Sequence, residues 1–278
     1  MALIIPELYA DALSDELDVS LRLGSIAVDM TELAPEITTC GDTIHMPMVT
    51  HIGDAQDVPT DGSEMTPERL SMTDHEVKVK HKGKTVLVSD KESAQVKANI
   101  DGILGRQLGD VVAKAIDTSL AEDILACDAY VDEVDTLTED AIESAFDVFG
   151  DKQDDNSFVA IVINSRLRKA IKHMGAFSDD NNTFTADGNG RVMNGVIGLW
   201  NGEIPVILSN NGTYNASTGK AMFALVKKGA LGVIIQKQPT IKEAYNVRSF
   251  GTDVNTSVMF ATAANENGIS VLLVGSNG

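Results

Sequence analysis

Between positions 100 and 124 apolar side chains recur every three to four residues: Ile100, Leu104, Leu108, Val111, Val112, Ala115, Ile116, Leu120 and Ile124. That spacing aligns them along one side of a helix. Ser89-Asp90-Lys91-Glu92 precedes them with the S-x-x-E pattern of a capping box, so a helix is predicted over 90–126. At ~1.5 Å per residue it would be roughly 50 Å long, about the diameter of a compact chain of this size. One helix spanning the molecule implies a flat, elongated subunit made for lateral contacts. Gly102, Gly105 and Gly109 interrupt the pattern, each weakening a helix by about 1 kcal/mol relative to alanine. Either something packs closely there, or the segment is two helices broken near Gly105.

A second period, of two, runs from His75 to Val88 and predicts a strand. Val77, Val79 and His81 alternate with Lys78, Lys80, Lys82 and Lys84, which places the four lysines on one face. With the strand-like residues 43–50 this reads as a long hairpin whose tip is residues 53–74. A hairpin cannot bury a lysine face in its own core, so that face is made for solvent or for an acidic partner. Before the hairpin, residues 1–42 read as an arm without a core: short apolar patches (Leu8, Leu13, Leu17; Leu21, Leu23, Ile26, Val28) set among acids.

Residues 128–135 read as an acidic linker, and Thr136-Leu137-Thr138-Glu139 opens a helix ending near Gly150. Phe158–Ile163 is a buried strand, and Asn164-Ser165 caps a short helix to Met174. Residues 177–191 read as a flexible polar loop, followed by strands at 204–209, 221–226 and 231–235 and a mostly stranded end from Thr240 to Val274.

The chain has 278 residues and a formal charge of −19, and the distribution of that charge carries more information than its sum. Residues 1–75 hold fifteen acids against Arg22 and Arg69, a net of −13, whereas residues 76–97 hold six lysines against three acids, a net of +3. Such asymmetry favours contact between unlike segments, within one chain or between copies. An acidic chain is a poor binder of phosphate backbones, so any nucleic acid it meets is not expected to be bound specifically. No apolar run is long enough for a membrane span, and the start of the chain lacks the basic region of a signal peptide. Cys40 and Cys127 have neither CxxC nor metal spacing and read as reduced thiols.

Candidate chemistry is sparse. Gly83-Lys84-Thr85 imitates the end of a phosphate-binding loop, but Lys78 stands where its first glycine belongs. Gly188-Asn189-Gly190 lacks the third glycine of a dinucleotide fingerprint, and no G-x-S-x-G occurs. His45, His51, His75, His81 and His173 show no zinc-ligand spacing, and Asp179-Asp180-Asn181-Asn182 breaks the calcium-loop pattern at Phe184. No catalytic residue, metal or cofactor is predicted.

What remains is an order of parts: acidic arm, extended hairpin, capped long helix, α/β region, stranded tail. In that order the chain resembles the major capsid protein of tailed bacteriophages, an α+β fold of Hong Kong 97 type that encapsulin shells share. Specific phrases carry the resemblance: Ile4-Ile5-Pro6-Glu7-Leu8-Tyr9 at the start, Val86-Leu87-Val88-Ser89-Asp90 at the junction of loop and spine, and Gly195-Val196-Ile197-Gly198…Gly202-Glu203-Ile204-Pro205-Val206-Ile207-Leu208-Ser209. The resemblance implies an N-terminal arm (1–42), an extended loop (43–88), a spine helix with a peripheral domain (89–135, completed by about 236–265), an axial domain (136–235) and a C-terminal strand (266–278). It implies a structural, non-enzymatic protein that assembles with many copies of itself into pentamers and hexamers, encloses DNA in a virion after assembly in the host cytoplasm, and needs no membrane. Because the arm begins almost at Met1, a separate scaffolding protein, or none, is expected, together with a portal. Lys78, Lys80, Lys82 and Lys84 are the expected contact with an adjacent subunit. An encapsulin-type compartment shell is the alternative, and an unrecognised α/β enzyme a more distant one.

Overall fold

The computed structural model describes residues 13, 15–31, 43–49, 69, 72–91, 100–126, 130–151, 153–154, 157–178 and 195–275. Its N-terminal part corrects one expectation. Residues 15–20 are helical, α1 spans Leu23–Ile26 and β1 spans Val28–Asp29. Leu13, Leu17, Leu23, Ile26 and Ala27 are buried, so this stretch belongs to the core and not to a free arm. The apolar residues set among acids are one side of short helices. They complete a core made far away in sequence, and β1 adds itself in parallel to β12 (Leu231–Asn246).

The predicted hairpin is present but shorter. β2 (Thr43–Val49) pairs antiparallel with β3 (Met72–Lys78), from Thr43↔Lys78 to Val49↔Met72. Most of its predicted tip lies outside the described residues. The expected single strand from His75 to Val88 is two strands, because the chain changes partners at Val79. From Lys80 onward β4 (Lys80–Ser89) pairs with β13 (Gly251–Ala264) and closes a four-stranded sheet in the order β1-β12-β13-β4.

The long helix, α2, runs without interruption from Ile100 to Ala126, 27 residues or about 40 Å. The two-helix alternative is therefore not realised. Residues 92–99, including the acid of the capping box, lie outside the described residues. The glycines do mark a close approach. A Cβ on Gly109 would stand 2.9 Å from the carbonyl oxygen of Leu13 and 3.1 Å from Cβ of Glu16, so the neighbour is the N-terminal segment. Beside it Leu108, 1% exposed, packs with Leu13, Leu104 and Val254. Leu108→Ala is expected to destabilise the subunit by about 2–5 kcal/mol. The check is chemical denaturation, where a shift below ~1 kcal/mol would contradict this packing.

Beyond α2 lies an eight-stranded sheet. Its order is β5 (Tyr130–Val134), β14 (Ile269–Gly275), β11 (Lys220–Lys227), β6 (Phe158–Ile163), β9 (Ile204–Leu208), β8 (Val196–Trp200) and β7 (Phe177–Ser178), with β10 (Tyr214–Asn215) paired to β11. The presumed acidic linker is thus partly a strand: β5 pairs in parallel with β14, from Ser270↔Tyr130 to Val274↔Val134. An outermost strand can carry exposed acids without cost, and that is why its charge masked it. One face of this sheet (Ala160, Val162, Met222, Ala224, Val271) packs on α2, whose Ile116, Leu120 and Ile124 also touch Val258 and Phe260 of the smaller sheet in one continuous core. The other face (Ile161, Ile163, Phe223, Leu225) is covered by α3 (Glu139–Asp147) and α4 (Arg168–Lys172). The caps follow expectation: Thr138 Oγ1 accepts from Ala141 N at 3.3 Å, and Asn164 Oδ1 from Arg166 N at 3.1 Å. Residues 179–194, most of the predicted flexible loop, lie outside the described residues.

One buried charge ties these parts together. Asp117, on α2 and 0% exposed, accepts from Arg22 N (3.1 Å), Gly24 N (3.0 Å) and Asn211 Nδ2 (3.2 Å). Burial pushes its carboxyl above the ordinary 3.8, opposed by those donors. The Arg22 guanidinium in turn donates to the carbonyl of Leu208 at 2.9 Å.

Candidate assembly surfaces

The four lysines fall on two strands. Lys78 ends β3 opposite Thr43, while Lys80, Lys82 and Lys84 stand in β4 opposite Phe260, Val258 and Thr256. Those three partners are buried, and Val258 and Phe260 pack on α2, so the β4 lysines share the helix side of the sheet at its outer edge. Lys80 finds an acid there within its own chain: Nζ lies 3.3 Å from Asp123 Oδ1 and 4.0 Å from Glu122 Oε2. Asp123 also accepts from the hydroxyl of Thr262. The expected acidic partner is therefore intramolecular for Lys80. Lys78, Lys82 and Lys84 are exposed and form no ion pair among the described residues. Because β4 is an outer strand, Lys82 and Lys84 also guard an unpaired edge against non-specific strand addition. Alternation in the sequence shows the face but not the edge, which depends on pairing with residues 170 positions away.

Sequence reasoning missed a second surface. The turn joining β12 to β13 exposes Tyr245 (56%), Val247 (71%) and Phe250 (70%), with Leu87 beside Gly251. Phe250 has φ 47°, a left-handed conformation that costs a bulky residue of order 1–3 kcal/mol. The turn is held firmly: Asn246 Nδ2 donates to Asp253 Oδ2 at 2.9 Å, Asp90 N donates to Phe250 O at 3.1 Å, and Tyr245 donates its hydroxyl to Asp90 Oδ2 at 2.9 Å. That last bond, to a carboxylate, raises the phenol's pKa. A rigid turn that spends backbone strain to display an aromatic ring to water gains nothing in an isolated chain; it suits a surface that a partner covers. The available signal was Asn246-Val247-Arg248-Ser249-Phe250-Gly251, a turn with two large apolar residues where polar ones are usual.

Among the described residues no three His, Cys, Asp or Glu side chains gather as a metal site, and no helix is long and apolar enough to cross a membrane. His81 and His173 are exposed on different elements, and both cysteines lie outside the described residues.

A long helix between two sheets, a paired loop ahead of it and strands closing both sheets from the chain's end define an α+β fold, the fold of tailed-phage capsid chains. Similarity to solved structures places it there. Over 88% of its length the chain is similar to 89% of a chain of Mycobacterium phage Che8, with a TM-score of 0.60 and 18% identity. It is similar to a chain in the capsid of a native GTA particle, computed with C5 symmetry (TM-score 0.64, 12% identity, 92% and 90% covered). A third likeness is to the capsid of cyanophage P-SCSP1u, with TM-score 0.61, 14% identity, and 85% and 84% covered. No family model matches the chain, and no curated protein does.

Proposed function

We propose that this chain is a major capsid protein of tailed-phage type, a structural subunit that assembles with many copies of itself into the pentamers and hexamers of a closed icosahedral shell around DNA. One observation carries the reading: the likeness to capsid chains extends over most of the length of both partners. On this reading α2 is the spine, the four-stranded sheet the peripheral domain, and the eight-stranded sheet with α3 and α4 the axial domain. The negative charge keeps the inner wall from adhering to packaged DNA. A portal, and a separate scaffolding protein or none, complete the proposed set of partners, with assembly in the host cytoplasm and residence in the virion. An encapsulin-type compartment would share the fold, but the likenesses described above are to phage and particle capsids.

The test is assembly. Purified, concentrated chain is expected to form rings or shells in negative-stain microscopy and light scattering. A compact monomer across a wide range of salt and concentration overturns the reading.

The lysines provide a second test. Reversing Lys78, Lys82 and Lys84 to Glu, with Lys80 left on Asp123, keeps β4 charged, so its edge stays guarded and only complementarity to an acidic neighbour is lost. Each exposed pair contributes ~0–1 kcal/mol, but the sum recurs at every copy of the contact. Circular dichroism is expected to show a retained fold and sedimentation a loss of assembly. Normal shells from this variant at low salt would mean that Lys82 and Lys84 serve the edge alone.

A further inference from the structure

The outer layer of the eight-stranded sheet is charged in two opposite ways. Positions 165–173 carry Arg166, Arg168, Lys169 and Lys172 and no acid, while positions 139–151 carry Glu139, Asp140, Glu143, Asp147 and Asp151 and no base. In a chain of net charge −19, the first is an unusual concentration of cations.

It borders a pocket of about 220 Å³. Leu137, Leu167 and Val274 line its apolar part, the cations Arg166 and Lys169 with the imidazole of His173 its polar part, and no carboxylate takes part. The cations are positioned in advance: the Arg166 guanidinium lies 3.9 Å from the centroid of the Tyr214 ring. Glu139, at the start of α3 nearby, is committed elsewhere, accepting from the N–H groups of Gly175 and Ala176.

At the other end of α3 the chain presents the complement. Val148, 43% exposed, follows Asp147 and precedes a turn through Gly150 (φ 52°) to Asp151. Both acids are exposed, and nothing stands within 4 Å of where a Cβ on Gly150 would be. Phe149 beneath them packs edge-on against Phe158, so the projection has a fixed base. Asp147 also sits in the last turn of α3, which has no basic residue. A carboxylate at a helix C-terminus is unfavourable, and an incoming cation would relieve it.

We propose, resting on the shell reading, that the acidic, apolar projection at Asp147, Val148 and Asp151 of one copy seats in the Arg166/Lys169/His173 pocket of the next. The two halves lie at opposite ends of a helix about 13 Å long, in one layer of the subunit. A contact between unlike patches of this kind is head-to-tail, and it generates a ring where the rotation between neighbours closes. It defines how neighbours around a pentamer or hexamer grip each other and is separate from the lysine row and the Phe250 turn.

The experiment is a charge exchange read by sedimentation and microscopy. The pocket variant is Arg166→Glu with Lys169→Glu, and the projection variant is Asp147→Lys with Asp151→Lys. Each alone is expected to keep wild-type circular dichroism and to raise the concentration needed for assembly about tenfold or more, as like charges meet. Lys169→Glu by itself, which leaves Arg166 on Tyr214, gives a smaller loss of the same kind. Mixing the two variants in equal amounts, or combining all four substitutions in one chain, is expected to restore assembly, the mixture favouring rings with an even number of subunits. If wild type assembles and the single variants do so equally well, or the exchange fails to rescue them, the contact is wrong while the shell reading stands. Wild-type chain that remains monomeric overturns both.

Discussion

Replacing Asp117 by alanine is expected to lower the free energy of unfolding by about 3–5 kcal/mol, more than any surface change in this chain. The carboxylate accepts from two backbone N–H groups of the N-terminal segment and from the Asn211 amide, all within 3.2 Å. Without it these donors stay buried and unpaired, and the segment loses its anchor on α2. Chemical denaturation of the folded subunit measures the loss, and a change below ~1 kcal/mol would show that the segment is held by its leucines alone. The pH dependence has a definite sign. The folded-state pKa lies above 3.8, so the folded chain binds this proton more tightly than the unfolded one. The contribution is then fully present below 3.8 and declines as pH rises through the raised value. Measured against Asp117→Asn, which cannot titrate, the wild-type advantage is expected to shrink as pH rises above 3.8 through the raised value.

Phe260→Ala is expected to cost a similar amount, about 3–5 kcal/mol. The ring is 0% exposed, in register with Ile235 on one side and Lys80 on the other, in the core that joins α2 to both sheets. Truncation empties the layer between the helix and the smaller sheet, where the helix, fixed on its far side by the larger sheet, cannot move to refill it. The expected signature is a lower denaturant midpoint at unchanged slope. A cost below ~1.5 kcal/mol would mean that the two sheets close on the helix independently of this contact.

Legibility in the sequence followed how much of an element's environment is local. The 3.6-residue repeat from Ile100 to Ile124 marked α2 because a buried stripe needs an apolar residue every three to four positions while Arg106, Lys114 and Glu122 stay exposed. Phe158–Ile163 and the β11 run were visible because strands covered on both faces are continuously apolar. The N-terminal leucines read as a coreless arm because the surfaces they fill lie about 90 to 240 residues away. Tyr130–Val134 read as linker because a sheet's outermost strand can be acidic, and nothing local distinguishes it from a loop. The lysine row was legible as a face, yet the partner of Lys80 was not, since Asp123 lies on an element whose position depends on the whole fold. At Phe250 the local rule fails altogether: an aromatic ring stands exposed at φ 47°, in a turn where glycine or a small polar residue is usual.

The N-terminal segment closes onto residues that are made very late. β1 needs Gly232 and Val233, and the hydroxyl of Thr31 accepts from Ile235 N, 204 positions further on. At the ~5–20 residues per second of translation, the segment therefore waits roughly 10–40 s after synthesis before its place exists. During that wait Leu17, Leu23 and Ile26 have only the α2 side of their site. A newly made subunit is thus committed to its final form only when its last strands leave the ribosome, and a truncated chain ending before β12 keeps a sticky, unseated end.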